Sequence, residues 1–290
     1  MSAKKGKGVN LAEIEAVDLI SLLTPPGSEG AFEAEIVYAG EEIYDPPLAA
    51  SPTTGEQCDL ESLQNLMGKS GSGSEITTNP RTDANPGSLL QPLELIENDS
   101  LTRISEEISV CEKCELCKTR NKTVPGTGPE HARLVFIGEA PGADEDKIGL
   151  PFVGRAGQHL DKILKAAGFS REEVFICNIL KCRPPGNRNP TLSEMVCCTP
   201  FLQRQLNLIK PKLIACLGNV ATRYVIGPKT PGITKIHGQW FESIFKIPAM
   251  AMYHPSYLVR SESRERGSPN WQMWQDIQKL KKRYDELNFA

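Results

Sequence analysis

Leu134-Val135-Phe136-Ile137-Gly138-Glu139-Ala140-Pro141-Gly142 is the stretch that decides the fold of this chain. Four apolar residues run into a Gly-Glu-Ala-Pro-Gly turn and then into the acidic run Asp144-Glu145-Asp146. Such a pattern reads as a buried strand that ends abruptly in a tight loop. In open α/β sheets, ligands bind at the carboxyl ends of the strands. Glu139, a carboxylate between glycines at such an end, is therefore a candidate reacting group. The plainer reading is a solvated turn residue.

Three further apolar runs follow, at 174–179, 212–218 and 247–252. Helical patterns separate them. Leu160, Ile163 and Leu164 make one apolar face over 158–167, a helix starts at Thr191, a short one covers 219–226, and Trp274, Ile277 and Leu280 recur over 271–287. Strands alternating with helices predict a three-layer α/β/α fold with a central four-stranded, mostly parallel sheet and right-handed crossovers. Glu139, Asn178 and His254 then fall at or near one sheet edge. Asn178 is a polar residue inside an apolar run; its amide offers a donor and an acceptor to a base edge, or else caps local backbone groups. Phe152 lies between Gly149 and Gly154, as either a stacking platform or a core residue.

Residues 1–100 hold 5 Lys/Arg against 17 Asp/Glu, a net of −12, while residues 101–290 hold 28 against 19, a net of +9. A basic folded part fits a polyanionic partner. Residues 1–99 read as an acidic, low-complexity, disordered arm with a Gly/Ser linker at 69–74. Such a composition cannot bury enough apolar surface to offset an ordering entropy of roughly 1–2 kcal/mol per residue. Leu11, Ile14, Val17, Ile20 and Leu23 mark a short amphipathic segment that could dock a repair or replication partner. The ordered domain is expected over residues 100–290, as a monomer. With no run of 18 or more apolar residues, no membrane-spanning helix is expected. Lys4, Lys5 and Lys7 are followed by no apolar core, so a cytoplasmic, nucleoid-associated placement is expected.

Eight of the nine cysteines lie between Cys111 and Cys216. Metal binding is the expectation rather than a disulfide framework. Cys111, Cys114 and Cys117 follow at two-residue gaps, which suits zinc or iron–sulfur ligation and leaves open which thiols are ligands. Residues 181–190 form a rigid loop of three cations and three prolines, suited to phosphate contact.

Four separate motifs now resemble one family. They are Gly138-Glu-Ala-Pro-Gly-Ala-Asp-Glu-Asp146, Leu150-Pro-Phe-Val-Gly-Arg-Ala-Gly157, Asn178-Ile-Leu-Lys-Cys-Arg-Pro-Pro-Gly-Asn-Arg188 and His254-Pro-Ser-Tyr-Leu-Val-Arg260. In order, they resemble the family 4, iron–sulfur uracil-DNA glycosylases, over residues 101–290. The resemblance implies a [4Fe–4S] cluster on Cys111, Cys114, Cys182 and Cys198, with Cys114 and Cys117 as the alternative first pair. It implies uracil-containing DNA, single- or double-stranded, as substrate. Phe152, Asn178 and Ala140 would contact the flipped base. His254 would stabilise the leaving uracil, and Glu139, with Glu145 as a second group, would handle water. Arg183 and Arg188 would hold phosphates, while Arg260 and the loop Pro255 to Val259, with Ser256, would form the wedge that enters the DNA minor groove. Ala140 departs from the best-known branch of the superfamily, which has a water-positioning Asp there. That departure keeps open a second reading, a catalytically weak iron–sulfur DNA-binding module associated with replication or repair. His237 stands where many members have Arg. A branch that traps uracil-DNA covalently uses a His within a longer Arg-rich insertion, which this chain lacks, so His237 reads as an ordinary variant.

Overall fold

A computed structural model of the chain describes residues 98–261 and 263–287. The expected disordered arm, up to residue 97, and its amphipathic segment lie outside the described residues. Helix α1 (Leu101–Ser109) starts at Ser100, whose hydroxyl accepts from the Arg103 N–H at 3.1 Å. Its Ile104 and Ile108 pack on Phe201. A short 3-10 turn, Glu115–Lys118, leads toward β1 (Leu134–Gly138). Then come α2 (Ala143–Ile148), α3 (Arg155–Ala166), β2 (Phe175–Asn178), α4 (Leu192–Ile209), β3 (Leu213–Leu217) and α5 (Gly218–Val225). The chain continues through α6 (Ile233–Ile236), β4 (Trp240–Glu242), β5 (Pro248–Met252), α7 (Pro255–Arg260) and α8 (Pro269–Glu286).

The sheet has five strands in the order β2-β1-β3-β5-β4. The first four are mutually parallel, and β4 runs antiparallel on β5. The expected four-stranded sheet is thus corrected by one edge strand. At three partly exposed residues, β4 is too short to display a period of two. The acidic run at 144–146 is also not loop but the first turn of α2, where carboxylates meet the positive end of the helix.

Both faces of the sheet are covered. Leu134 and Phe136 pack with Leu160 and Ile163 of α3 and Ile277 of α8. Val135 and Ile137 pack with Leu202 and Leu206 of α4 and Ala221 of α5. That double burial is why the parallel strands read as unbroken apolar runs. Strand β1 has β2 on one side and β3 on the other, so the strand order reverses there and opens a crevice at the strand ends.

The turn through Phe152 crosses α3 at Gly157. A Cβ at Gly157 would fall on the Phe152 main-chain carbonyl, 2.7 Å from its Cα. Backbone cannot yield as a flexible side chain can. Gly157→Ala is expected to lower stability by about 1–3 kcal/mol, read as a lower urea midpoint at unchanged m-value. An unchanged midpoint would mean that this turn moves freely.

Candidate active site

A cleft of about 760 Å³ opens at the carboxyl ends of the parallel strands. Its lining includes Glu139 and Ala140 after β1, Asn178 at the end of β2, Gly218 and Asn219 after β3, and His254 after β5. Phe152, Glu145, Arg188, Ser256, Tyr257 and Arg260 complete much of the wall. The convergence expected from the strand ends is therefore present.

Gly138 pairs with Asn178 across β1 and β2. A Cβ on Gly138 would collide with Asn178 Oδ1 and come within 2.7 Å of Phe152 Cζ. The bare strand end thus makes room for both side chains. Asn178 is 2% exposed, and its Oδ1 has no hydrogen-bond partner among the described residues. A buried polar atom left unpaired costs on the order of 1–3 kcal/mol. Here it lines the cleft, where a ligand N–H would satisfy it.

Phe152 is both core and cleft wall, being 5% exposed and part of the main apolar cluster. Its φ of +52° is one a bulky residue rarely adopts. The turn is held by Glu145, whose Oε1 accepts from the Val153 and Gly154 N–H groups, both at 2.9 Å. Glu145 is buried, and that oxygen is committed to the loop. It therefore enters the site as the group that holds the Phe152 turn.

Glu139 is half-buried, and burial raises its carboxyl above the ordinary value. Beside it Ala140 presents only a methyl group. His254 is the N-cap of α7. Its Nδ1 accepts the Ser256 N–H at 3.1 Å and lies 2.7 Å from Ser256 Oγ. An accepting Nδ1 places the proton of a neutral imidazole on Nε2. Burial, then the charge of Arg260, pulls the His254 pKa down to about 4, with Glu145 opposing. The ring is therefore a neutral donor at neutral pH. Gly218, at φ +89°, makes the close approach possible, since a Cβ there would lie 2.9 Å from that of His254.

The expected DNA contacts divide. Arg260 is exposed at the cleft, while Ser256 uses its N–H and hydroxyl on His254. Arg188 lines the cleft but is bound twice by Glu194, at 2.9 and 2.5 Å. Glu194 is also the capping-box residue of α4. Arg183 lies outside the lining and donates to Asn187 Oδ1 at 2.8 Å. The basic loop loses one cation altogether, because Lys181 is 1% exposed. Sequence reasoning missed Asn219, whose Oδ1 accepts the Ile233 N–H at 2.8 Å and ties α6 to the cleft. Tyr257, within the 255–259 loop expected to enter the DNA, is 41% exposed and stacked on Tyr253 at 5.5 Å. His237 does not line the cleft; its Nδ1 pairs with Asp276 at 2.7 Å and its ring stacks on Tyr253.

On the other side of the 178–182 segment, Cys111, Cys114, Cys182, Cys197 and Cys198 line a second, smaller cavity, and Cys117 does not. Arg120 donates to Cys182 Sγ at 3.3 Å and to the Cys111 carbonyl at 2.7 Å. Burial pushes the Cys114 thiol to about 11 and Cys198 to about 12, and raises Cys182. Among the described residues, no three His, Cys, Asp or Glu converge tightly enough to hold a single metal ion.

Residues 125–278 match the model of the uracil DNA glycosylase superfamily. The chain is 43% identical over 162 residues to the type-4 uracil-DNA glycosylase of Thermotoga maritima, covering 56% of this chain and 84% of that one. It is 44% identical over 174 residues to the type-4 enzyme of Archaeoglobus fulgidus, covering 58% and 87%. A third type-4 enzyme, from Sulfurisphaera tokodaii, is 44% identical over 165 residues, covering 54% and 75%. Family model, identity and coverage agree with the strand-end cleft: the chain belongs to the uracil-DNA glycosylase superfamily, in its type-4 branch.

Proposed function

We propose that this protein removes uracil from DNA by hydrolysing the N-glycosidic bond, as a monofunctional glycosylase of base excision repair. The single observation that carries the reading is the pairing of an unsatisfied buried amide with a neutral imidazole across one cleft. Uracil inside a duplex is out of reach, so the nucleotide must be extruded into the cleft. There Phe152 stacks on the ring. The Asn178 amide meets the Watson–Crick edge, with Oδ1 accepting from N3–H and the NH₂ group donating to O4. Cytosine offers the opposite pattern on that edge and is rejected.

The bond breaks through an oxocarbenium-like sugar, as in glycoside hydrolysis. The N1–C1′ electron pair leaves with the base, which becomes a uracil anion. The His254 Nε2–H donates to the oxygen where that charge gathers. Water adds its oxygen to C1′, and Glu139 orients it and takes up its proton. That proton then passes through solvent to the uracil anion, leaving free uracil, an abasic site and an ionised Glu139. Ala140 supplies no carboxylate, so water handling rests on Glu139.

The cysteine cavity supports a [4Fe–4S] cluster on Cys111, Cys114, Cys182 and Cys198. Burial raises the thiols of Cys114, Cys182 and Cys198, thiols become ligands only when cationic charge offsets their thiolates, and all four side chains line one cavity. When bound, the cluster would supply covalent cross-links among the segment after α1 (Cys111, Cys114), the loop after β2 (Cys182) and helix α4 (Cys198). Arg260 and, on the loop after β2, the half-buried Arg183 and the exposed Arg188 supply the contacts to the DNA strand.

Purified protein is expected to release free uracil from a uracil-containing oligonucleotide. His254→Ala should cost on the order of 10²–10³ in kcat, and Asn178→Ala should erase most discrimination between uracil and cytosine. Wild-type protein that binds such DNA but releases no base would leave the binding-module reading in its place. For the cluster, iron and broad visible absorbance should copurify and fall away in Cys182→Ala; colourless, zinc-replete protein would reject it.

The pH dependence has a definite sign. The unfolded imidazole titrates near 6.5 and the folded one near 4. His254 therefore leaves stability unaffected above about 6.5, and stability falls as the pH drops from there toward 4. The acid limb of kcat/KM should follow Glu139, above the ordinary carboxylate value of 4.5, and should disappear in Glu139→Gln. A limb at 6.5 that vanishes in a His254 variant would contradict the neutral-donor assignment.

A further inference from the structure

Lys181 is the one cation of the loop after β2 that DNA cannot reach. It is 1% exposed. Its ammonium donates to the Asn178 carbonyl at 2.9 Å and to Gln205 Oε1 at 2.8 Å. Gln205 is itself oriented, because its NH₂ group donates to the Pro125 carbonyl at 2.9 Å. The main-chain N–H of Lys181 donates to Cys198 Sγ at 3.2 Å, and Lys181 also lines the cysteine cavity. One residue therefore holds the strand end that carries the cleft amide and touches a sulfur on the other side.

A buried charge is costly unless hydrogen-bonded, so a charge held here by two neutral acceptors calls for a reason. DNA contact is excluded by burial, and packing alone would be met by a methionine of similar length. We propose that Lys181 is a positioning residue that couples the cysteine cavity to base recognition. Its ammonium fixes the main chain of Asn178, and hence the aim of the unpaired Oδ1. Its backbone bond and its charge set the electrostatic environment of the Cys198 sulfur. The proposal rests on the glycosylase reading and on the cluster fit above, and deepens both.

The test is a double-mutant cycle on holoprotein with matched iron content. Lys181→Met should cost roughly 10–100-fold in kcat/KM for uracil-DNA, as removal of such an outer-shell partner does. The loss should appear in kcat and in free-uracil affinity, with KM for DNA nearly unchanged. In an Asn178→Ala background the same change should cost less than about twofold, because the group that Lys181 aims is already gone. The second readout is the cluster midpoint potential, which should move negative when the nearby positive charge is removed. If Lys181→Met does not fold, Gln205→Leu withdraws one of the two ammonium partners and should show the same non-additivity at smaller size.

Equal losses in both backgrounds, or no loss, would overturn the aiming role. An unchanged potential would overturn the link to the cysteine cavity. Wild-type protein without uracil release defeats the glycosylase reading instead, so the two failures are distinguishable.

Discussion

The missing side chain at Gly138 is the constraint on which the cleft depends. At that point β1 stops, β2 delivers Asn178 and the α2–α3 turn delivers Phe152, all into the volume a single methyl group would fill. Main-chain bonds continue past the strand, from Ile179 to the Gly138 carbonyl and from Leu180 to that of Glu139. Glu139 and Asn178 are thereby held by the same ladder. The Glu145 carboxylate closes the arrangement from the opposite side, absorbing the strain of a phenylalanine at positive φ. Preorganisation of this kind places the Phe152 ring and the Asn178 amide before any ligand arrives.

On the proposed reading, the chemistry asked of the site is charge stabilisation on a leaving base. A neutral imidazole suits it because it donates without a proton having to be gained first. Its neutrality has a structural cause in enclosure by the fold, a helix N-terminus that bonds Nδ1, and the nearby Arg260. After β5 the chain passes through Tyr253 and His254 straight into α7, so the Ser256 amide points back at the imidazole.

Charge is also organised at larger scale. The folded part carries a net of +9, yet several of its cations are buried or already held by carboxylates. Arg204 is shared by Asp99 and Glu107 where the folded part begins, Arg188 is bound by Glu194, and Lys181 is buried. Net charge therefore overstates the surface available to a phosphate backbone. Arg260 at the cleft rim is a better guide than the count.

Much of the fold was legible because parallel strands buried on both faces show themselves locally as apolar runs, two of which, β1 and β3, end at a glycine. Those runs, the helices between them and the clustered cysteines are determined by residues a few positions apart. Convergence of Glu139, Phe152, Asn178 and His254 was legible only through that topology. The edge strand β4 was not, being too short to carry a pattern. Nor was the sorting of cations and carboxylates into surface and interior. Lys181 and Gln205 are separated by 24 positions, and Arg204 and Asp99 by 105. Whether a lysine in a basic loop meets DNA or a buried amide depends on such distant partners. The neutrality of His254, the commitment of Glu145 and the unpaired oxygen of Asn178 have the same origin. The sequence by itself determined which groups reach the strand ends; only the tertiary structure decided their protonation and partners, because burial and long-range hydrogen bonds set both.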